Sequence, residues 1–242
     1  MNLGKFYGIG VGPGDPELIT VKAARVLKEC RHVFVPKARS AADSVALSIA
    51  SDHLGSHSRV RELLFPMTSD RAELSRSWGD SARQIAEILK EGEDACFLTL
   101  GDPLLYSTYI YLLRALRSHL AEAEVVTIPG IMAFNAAAAL TEFPVGEGKE
   151  PVTIIPTADD LESVRRALSS HGTVILMKIG KRLGEILRLL EEAGVTDRSV
   201  FVANAGMENQ RVETDLRAMR TESPEAGYLS IILVHVGGGE KP

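Results

Sequence analysis

Short apolar runs, rich in β-branched residues, alternate with longer amphipathic stretches along the whole chain. The short runs predict strands, and the stretches whose apolar positions recur every three or four residues predict helices. Strands that alternate with helices are typical of proteins in which crossover helices join the strands of a parallel sheet. The pattern therefore predicts an α/β fold.

The same pattern assigns elements to the first part of the chain. The strands are predicted at Lys5–Val11, His32–Val35, Asp94–Thr99 and Glu124–Ile128, with a candidate edge strand at Arg59–Leu64. The helices are predicted at Thr20–Cys30, Ala72–Glu91, Tyr109–His119 and Ile131–Leu140.

A polar stretch with glycine and proline, residues 141–150, interrupts the alternation in the way that a linker does. We therefore expect two domains, at residues 1–143 and 150–242. The second, smaller domain has predicted strands at Val152–Pro156, Thr173–Met177, Ser199–Ala203 and Ser230–His235, and a hairpin strand near Gln210–Thr214. Its predicted helices are Leu161–Ser169 and Leu183–Ala193.

The composition excludes several classes of protein. With 45% apolar and 24% charged residues, the chain has the composition of a globular protein rather than of a disordered or fibrous one. Its net charge of −5, from 27 basic and 32 acidic residues, argues against general electrostatic binding of nucleic acid or of an anionic membrane. We find neither an apolar run of membrane-spanning length nor a recognisable signal peptide.

The use of cysteine indicates a reducing compartment. Cys30 and Cys96, the only cysteines, are far apart in the sequence, and each lies in an apolar stretch. Without a CxxC pair they indicate neither a disulfide framework nor a zinc site. We therefore expect a cytoplasmic protein with two core thiols and no bound metal.

A glycine-rich stretch, Gly8–Glu17, follows the first predicted strand. Glycine allows a backbone to approach a ligand closely, so a dinucleotide fingerprint is the first interpretation to test. The GxGxxG pattern fails in both registers, because its last glycine falls on Pro13 or on Asp15, and the Gly-Lys-Ser/Thr of a P-loop is absent. Taken alone, the stretch is a weak signal, and a tight strand-to-helix turn remains an alternative.

Three more segments lie at the ends of predicted strands: Gly101–Pro103, Pro129–Gly130 and Met177–Lys178. Open α/β sheets bind ligands at the carboxyl ends of their strands. Each segment also has an ordinary structural interpretation, as a helix cap, a turn, and a core methionine followed by a solvated lysine.

Taken together and in this order, the segments GVGPGDPELITVKA, GDPLLYSTY, PGIMA and MK resemble the tetrapyrrole methylase family, the S-adenosylmethionine-dependent enzymes of cobalamin and sirohaem synthesis. The resemblance extends over essentially the whole chain. Within the family, Leu64–Met67, Trp78 and Leu98–Tyr109 are most similar to the subfamily that methylates C20 of precorrin-2 or of its cobalt-containing counterpart, cobalt-factor II.

This resemblance implies a two-domain fold in which each domain is a mixed sheet with flanking helices and the active site lies in the interdomain cleft. It also implies a tetrapyrrole substrate, S-adenosylmethionine as methyl donor, and a homodimer. The residues that it implies in donor binding are Pro13, Leu100, Gly101, Asp102, Leu105, Met132, Ala133, Met177, Ala205, Ser230 and Ile231. The residues that it implies in substrate binding are Gly12, Gly14, Asp15, Phe65, Met67 and Trp78.

An alternative remains open for the donor-binding residue Met132 and for three of the substrate-binding residues. Met132 departs from the family pattern, in which Ser or Thr commonly follows Pro-Gly-Ile, so a hydroxyl contact is lost and we expect backbone groups to replace it. Phe65, Met67 and Trp78 have core packing as the alternative to substrate contact.

Methyl transfer from a sulfonium requires in-line alignment of carbon, methyl and sulfur, and exclusion of water. The macrocycle must then lose a proton to a base or to water. The candidate bases are Asp15, Asp102, Tyr106 and Lys178, and the sequence leaves the choice open. Candidate cations for the carboxylates of the substrate, each otherwise a solvated surface charge, are Lys37, Arg39, Lys178, Lys181 and Arg211.

Other functions remain open at this stage. The chain can be a tetrapyrrole methylase of different regiochemistry, or a diphthine-synthase-like methyltransferase, against which Phe65, Met67 and Trp78 argue. A non-catalytic tetrapyrrole carrier is a further possibility, and a count of glycines alone suggests a nicotinamide oxidoreductase. Titration with S-adenosylmethionine and with NAD separates these classes.

Overall fold

The computed structural model describes residues 2–37, 44–66, 68, 70–157, 160–219 and 227–237. The chain divides into two compact units, Met1–Met132 and Ala133–Pro242. Each unit contains a five-stranded sheet with helices packed against it. The prediction of an α/β fold is therefore confirmed.

The first unit is built on a sheet with the strand order β3-β2-β4-β1-β5. Its strands are β1 (Lys5–Gly10), β2 (His32–Lys37), β3 (Arg59–Leu64), β4 (Ala95–Thr99) and β5 (Glu124–Ile128). Its helices are α1 (Val21–Glu29), α2 (Val45–Ala50), α3 (Arg71–Lys90) and α4 (Tyr109–His119).

All pairings in this sheet are parallel. A helix lies between each strand and the next, and it returns the chain to the end of the sheet at which the strands begin. The mixed sheet that we expected in both domains is thus found only in the second. The candidate edge strand is confirmed as β3. The carboxyl ends of β1, β4 and β5, which are neighbours, consequently share one edge of the sheet.

Apolar side chains on the two faces of this sheet form two separate cores. Phe34 and Phe97 point to the face covered by α3 and α4, whereas Val33 and Leu98 point to the face covered by α1 and α2. Because both faces are covered, β4 is buried at every position and its sequence is a continuous apolar run.

The second unit is built on a mixed sheet with the order β6-β7-β10-β8-β9. Its strands are β6 (Val152–Pro156), β7 (Gly172–Met177), β8 (Ser199–Ala203), β9 (Arg211–Glu213) and β10 (Ser230–Val236). Its helices are α5 (Ala133–Thr141), α6 (Leu161–Leu168) and α7 (Leu183–Glu192). Strands β6 and β7 are parallel, and the other pairings are antiparallel. Strand β9 is the predicted hairpin strand.

The division between the units falls earlier in the chain than the polar stretch at residues 141–150 suggests. Helix α5 packs against β8 and β10, so it groups with the second unit rather than with the first. No helix in the described part of the chain is both long and apolar enough to cross a membrane.

Candidate active site

The loops that follow β1 and β4 are joined by backbone hydrogen bonds. The amide of Gly101 donates to the carbonyl of Gly12 at 2.8 Å, and the amide of Gly12 donates to the carbonyl of Gly101 at 3.4 Å. Just before this pair, the amide of Val11 donates to the carbonyl of Thr99 at 3.0 Å. The two loops therefore continue the contact of their strands beyond the edge of the sheet.

The loop after β5 meets the same point, and glycine is what allows it to do so. A Cβ added to Gly130 would lie 2.1 Å from the Gly101 oxygen, and one added to Gly10 would lie 2.5 Å from that same oxygen. Gly101 itself has a φ of +68° and open space where a Cβ would be. Gly10 and Gly130 are thus required for packing, whereas the space beside Gly101 that a Cβ would occupy is empty of neighbouring protein atoms.

Asp102 ties the loop after β4 to the loop after β5. Its Oδ2 accepts a hydrogen bond from the amide of Gly130 at 3.1 Å, and its Oδ1 accepts one from the amide of Leu104 at 2.8 Å. The side chain is half-buried. A carboxylate offers about four lone-pair sites, so these two bonds leave acceptor capacity for a ligand.

The other predicted residues of these loops have varied exposure. Gly12, Pro13 and Gly14 are buried, and Leu100, Leu105 and Met132 are half-buried. Asp15 accepts a hydrogen bond from the amide of Glu17 at 2.8 Å and so caps a short 3₁₀ turn. Tyr106 is 38% exposed and has a φ of +52°.

A buried tyrosine explains the first glycine of the glycine-rich stretch. A Cβ added to Gly8 would lie 2.2 Å from the ring of Tyr109, and the hydroxyl of Tyr109 hydrogen-bonds Thr127 Oγ1 at 2.7 Å. Burial raises the pKa of Tyr109. Gly8 is therefore a packing residue of the sheet.

In the second unit, most of the predicted donor-binding residues lie at one edge of the sheet. Met177 ends β7, Ser230 and Ile231 begin β10, and Ala205 lies two residues beyond the end of β8. Ile231 is opposite Met177, and Ser230 is opposite Ala203. The antiparallel course of β10 thus brings its first residues beside the last residues of β7 and β8. Ala133, in contrast, begins α5.

Backbone strain is concentrated at this edge. Lys178 follows β7 with a φ of +54°, Asn204 follows β8 with +51°, and Leu229 precedes β10 with +48°. The amide of Asn204 donates to the carbonyl of Leu229 at 3.0 Å. Such conformations are uncommon for residues with a side chain, and strained residues tend to cluster at functional sites.

Asn204 and Leu229 were not predicted as site residues. Asparagine tolerates this backbone region, but leucine gives no sequence signal for it, so the position of Leu229 is visible only in the structure. Among the described residues other than glycine, Glu142 and Tyr106 are the remaining ones with positive φ.

The aromatic residues predicted for substrate binding contact the core of the first unit. Phe65 is 9% exposed and packs edge-on against Phe97, with ring centroids 6.1 Å apart. Trp78 is partly buried and stacks on Tyr111 at 4.5 Å. These contacts favour the packing alternative for Phe65. Met67 lies outside the described residues.

The candidate cations also differ in their surroundings. Lys37 pairs with Glu62 at 2.7 Å, and Arg211 pairs with Glu213 at 2.9 Å. Lys178 and Lys181 are exposed, and Arg39 lies outside the described residues.

A family model for the Tetrapyrrole (Corrin/Porphyrin) Methylases matches residues 5–219. The chain belongs to the tetrapyrrole methylase family. The expectation drawn from the glycine, Gly-Asp-Pro, Pro-Gly and Met-Lys segments is thereby confirmed.

Two similar relatives of this methylase carry the name cobalt-precorrin-2 C(20)-methyltransferase, one of them as a probable assignment. The cobalt-precorrin-2 C(20)-methyltransferase of Salmonella typhimurium is 33% identical over 232 residues, which are 96% of each chain. The probable cobalt-precorrin-2 C(20)-methyltransferase of Methanocaldococcus jannaschii is 36% identical over 202 residues, which are 81% of this chain and 84% of the relative.

The methylase also shares its fold with solved structures. One is the uroporphyrin-III C-methyltransferase of Thermus thermophilus in complex with S-adenosyl homocysteine. It is 19% identical, covers 96% of this chain and 97% of its own, and superposes with a TM-score of 0.64. This similarity confirms the two-sheet α/β architecture.

Proposed function

We propose that this methylase transfers a methyl group from S-adenosylmethionine to C20 of precorrin-2, or of its cobalt-containing form, in cobalamin biosynthesis. The observation that carries the proposal is the similarity to the Salmonella typhimurium enzyme, which extends over 96% of both chains. The motifs of Leu64–Met67 and Leu98–Tyr109 favour the same subfamily.

The arrangement of the first unit fits a methyl donor. No protein atom lies within 4 Å of the point where a Cβ of Gly101 would be, Asp102 fixes the loop beside that point, and Leu105 and Met132 add apolar surface. Binding sites commonly combine apolar walls with a few polar anchors. S-adenosylmethionine supplies an electrophilic methyl group on a positively charged sulfur.

The second unit contributes the residues at the strained edge of its sheet. We propose that Met177, Ala205, Ser230 and Ile231 contact the donor, and that the strained backbone of Lys178 holds this edge in the binding conformation. Ala205, Ser230 and Ile231 are buried, with exposures of 6%, 2% and 4%. The solved relative with S-adenosyl homocysteine supports this choice of donor.

The proton released from the macrocycle needs an acceptor, and two of the candidates are well placed. Tyr106, in the loop between β4 and α4, and Lys178, directly after β7, are exposed and have positive φ. Both oxygens of Asp102 already accept amide hydrogen bonds, which suits an anchor better than a base. We therefore propose Tyr106 or Lys178, acting in its deprotonated form, as the proton acceptor.

The experiment that tests the function is an assay of the purified protein with S-adenosylmethionine and with each substrate form, metal-free and cobalt-containing. The expected product carries one new methyl group, which NMR with a ¹³C-labelled donor assigns to C20. A methyl group at another carbon would establish a methylase of different regiochemistry. Absence of both methylation and S-adenosyl homocysteine binding would instead favour a carrier.

A further inference from the structure

The turn that follows β7, residues 177–180, is fixed on one side by a buried threonine that precedes α6. Thr157 is completely buried. It donates two hydrogen bonds to the carbonyl oxygen of Met177, one from its backbone amide at 2.8 Å and one from Oγ1 at 3.0 Å. The amide bond continues the parallel ladder of β6 and β7, in which Pro156 is opposite Met177. The hydroxyl bond is additional to this ladder.

The same turn is fixed on its other side by the segment that leads into β10. A Cβ added to Gly227 would lie 1.9 Å from the carbonyl oxygen of Gly180, so the two backbones are in direct contact. Ser230 holds Gly227 in place, because its Oγ donates to the Gly227 carbonyl at 2.7 Å. The turn therefore has little freedom to move toward either neighbour.

The carbonyl that Thr157 binds belongs to the peptide plane between Met177 and Lys178. The orientation of this plane is coupled to the φ of Lys178, which is +54°. A lysine does not adopt this conformation without support from its surroundings. Two donors on one carbonyl provide that support, and a single amide leaves the plane freer to rotate.

We propose that Thr157 is a positioning residue of the methyl-donor site, and that its hydroxyl holds the peptide between Met177 and Lys178 in the orientation that donor binding requires. The hydroxyl hydrogen of Thr157 is committed to the carbonyl of Met177, so Thr157 acts through Met177 and Lys178. This inference rests on the proposed function, which places those two residues at the donor.

The test replaces Thr157 with valine, which keeps the shape of the side chain and removes only the hydroxyl. Calorimetry with S-adenosyl homocysteine should show binding weakened by about tenfold, on the order of what the loss of one hydrogen bond produces. Thr157→Ser restores the hydroxyl and should return the affinity to within about twofold of the wild type. Thr157→Ala gives a second variant without the hydroxyl if the valine variant does not fold.

Ser199 provides a matched control in the same unit. Its buried Oγ donates to the carbonyl of Val195 at 2.8 Å, and that carbonyl also accepts from the amide of Arg198 at 3.0 Å. Ser199→Ala therefore also removes a hydroxyl hydrogen bond to a carbonyl that keeps its bond from a backbone amide. This carbonyl, however, lies at the opposite end of β8 from Asn204. It should lower the thermal midpoint about as much as Thr157→Val does and leave the affinity for S-adenosyl homocysteine unchanged.

The outcomes separate this inference from the function on which it rests. Equal affinities for wild type and Thr157→Val, or an equal loss in Ser199→Ala, would overturn the positioning role while the donor assignment stands. A wild-type protein that does not bind S-adenosyl homocysteine would overturn the donor assignment and this inference with it.

Discussion

Individual residues at the ends of β1, β4 and β5 determine how closely the loops that follow these strands approach one another. Gly10 and Gly130 leave room for the carbonyl of Gly101, and Asp102 then joins the loops by accepting from Gly130. A side chain on either packed glycine would overlap with backbone, which cannot move as a flexible side chain can. The loop after β4 can therefore pack closely because Gly10 and Gly130 have no side chains, and the Asp102 carboxylate fixes it to the loop after β5.

Asp102 is therefore expected to matter for donor binding more than for stability. We predict that Asp102→Ala weakens binding of S-adenosyl homocysteine by about 1 to 3 kcal/mol, because the Gly130 loop loses its attachment and the donor loses a polar anchor. Calorimetry measures the affinity, and the thermal midpoint reports the fold.

Asp160 is the matched control for this prediction. Its Oδ1 accepts from the amides of Glu162 and Ser163 at 3.0 and 3.1 Å, which caps α6 without joining two loops. Asp160→Ala should lower stability by about 1 kcal/mol, as the loss of a helix cap does, with unchanged donor affinity. Unchanged donor affinity in Asp102→Ala would remove Asp102 from the site.

At the scale of elements, the hydrophobic pattern predicts strands and longer helices closely. The predicted bounds of α4, β5, β6 and β8 are those found in the structure. Helix α2 was missed because its six residues, Val45–Ala50, are too few to show a helical period.

The candidate site was predictable only in part. The Gly-Asp-Pro and Met-Lys segments mark the strand ends, because their sequence signals are local. The strained φ of Leu229 and the bond from Thr157 to Met177 depend on contacts between distant segments, which a local pattern does not encode. The packing role of Gly8 was not predictable for the same reason, since the ring that fills the space beside it comes from α4.

Phe65, directly after β3, and Trp78, within α3, give a prediction at this scale. Phe65 packs edge-on against Phe97 in the core, so Phe65→Ala should destabilise the protein by about 3 to 5 kcal/mol and lower donor binding and methylation together. Trp78→Ala, at the partly buried stack with Tyr111, should impair methylation more than donor binding. Thermal midpoint, donor affinity and product identity are measured on each variant.

The two variants serve as controls for each other. An unchanged midpoint with lost methylation in Phe65→Ala would show that Phe65 contacts the substrate after all. A fall of midpoint and donor affinity in proportion for Trp78→Ala would make Trp78 a packing residue.

At the scale of the whole molecule, neither the net charge nor the fold determines which carbon is methylated, so local features of the site must determine it. The net charge is −5, yet the expected tetrapyrrole substrate carries many carboxylates, so we expect local cations such as Lys181 to outweigh the general repulsion. The fold is shared with a methylase that acts on uroporphyrin-III by name, so the fold does not determine the position of methylation.

The family resemblance also predicts the assembly. We expect a homodimer, the commonest arrangement of soluble oligomers, and hence a particle of twice 26.2 kDa in sedimentation. Sedimentation should show this particle across a dilution series. A single species of monomer mass at every concentration would contradict the expectation.

The contact between Gly8 and the ring of Tyr109 has a consequence for how such sequences evolve. The two positions share one volume, so a larger residue at position 8 is acceptable only after a smaller one has replaced Tyr109. Neither change is neutral alone, and the hydroxyl of Tyr109 is further committed to Thr127. We therefore expect positions 8 and 109 to change together among related sequences, and such covariation would reflect packing of the sheet rather than ligand binding.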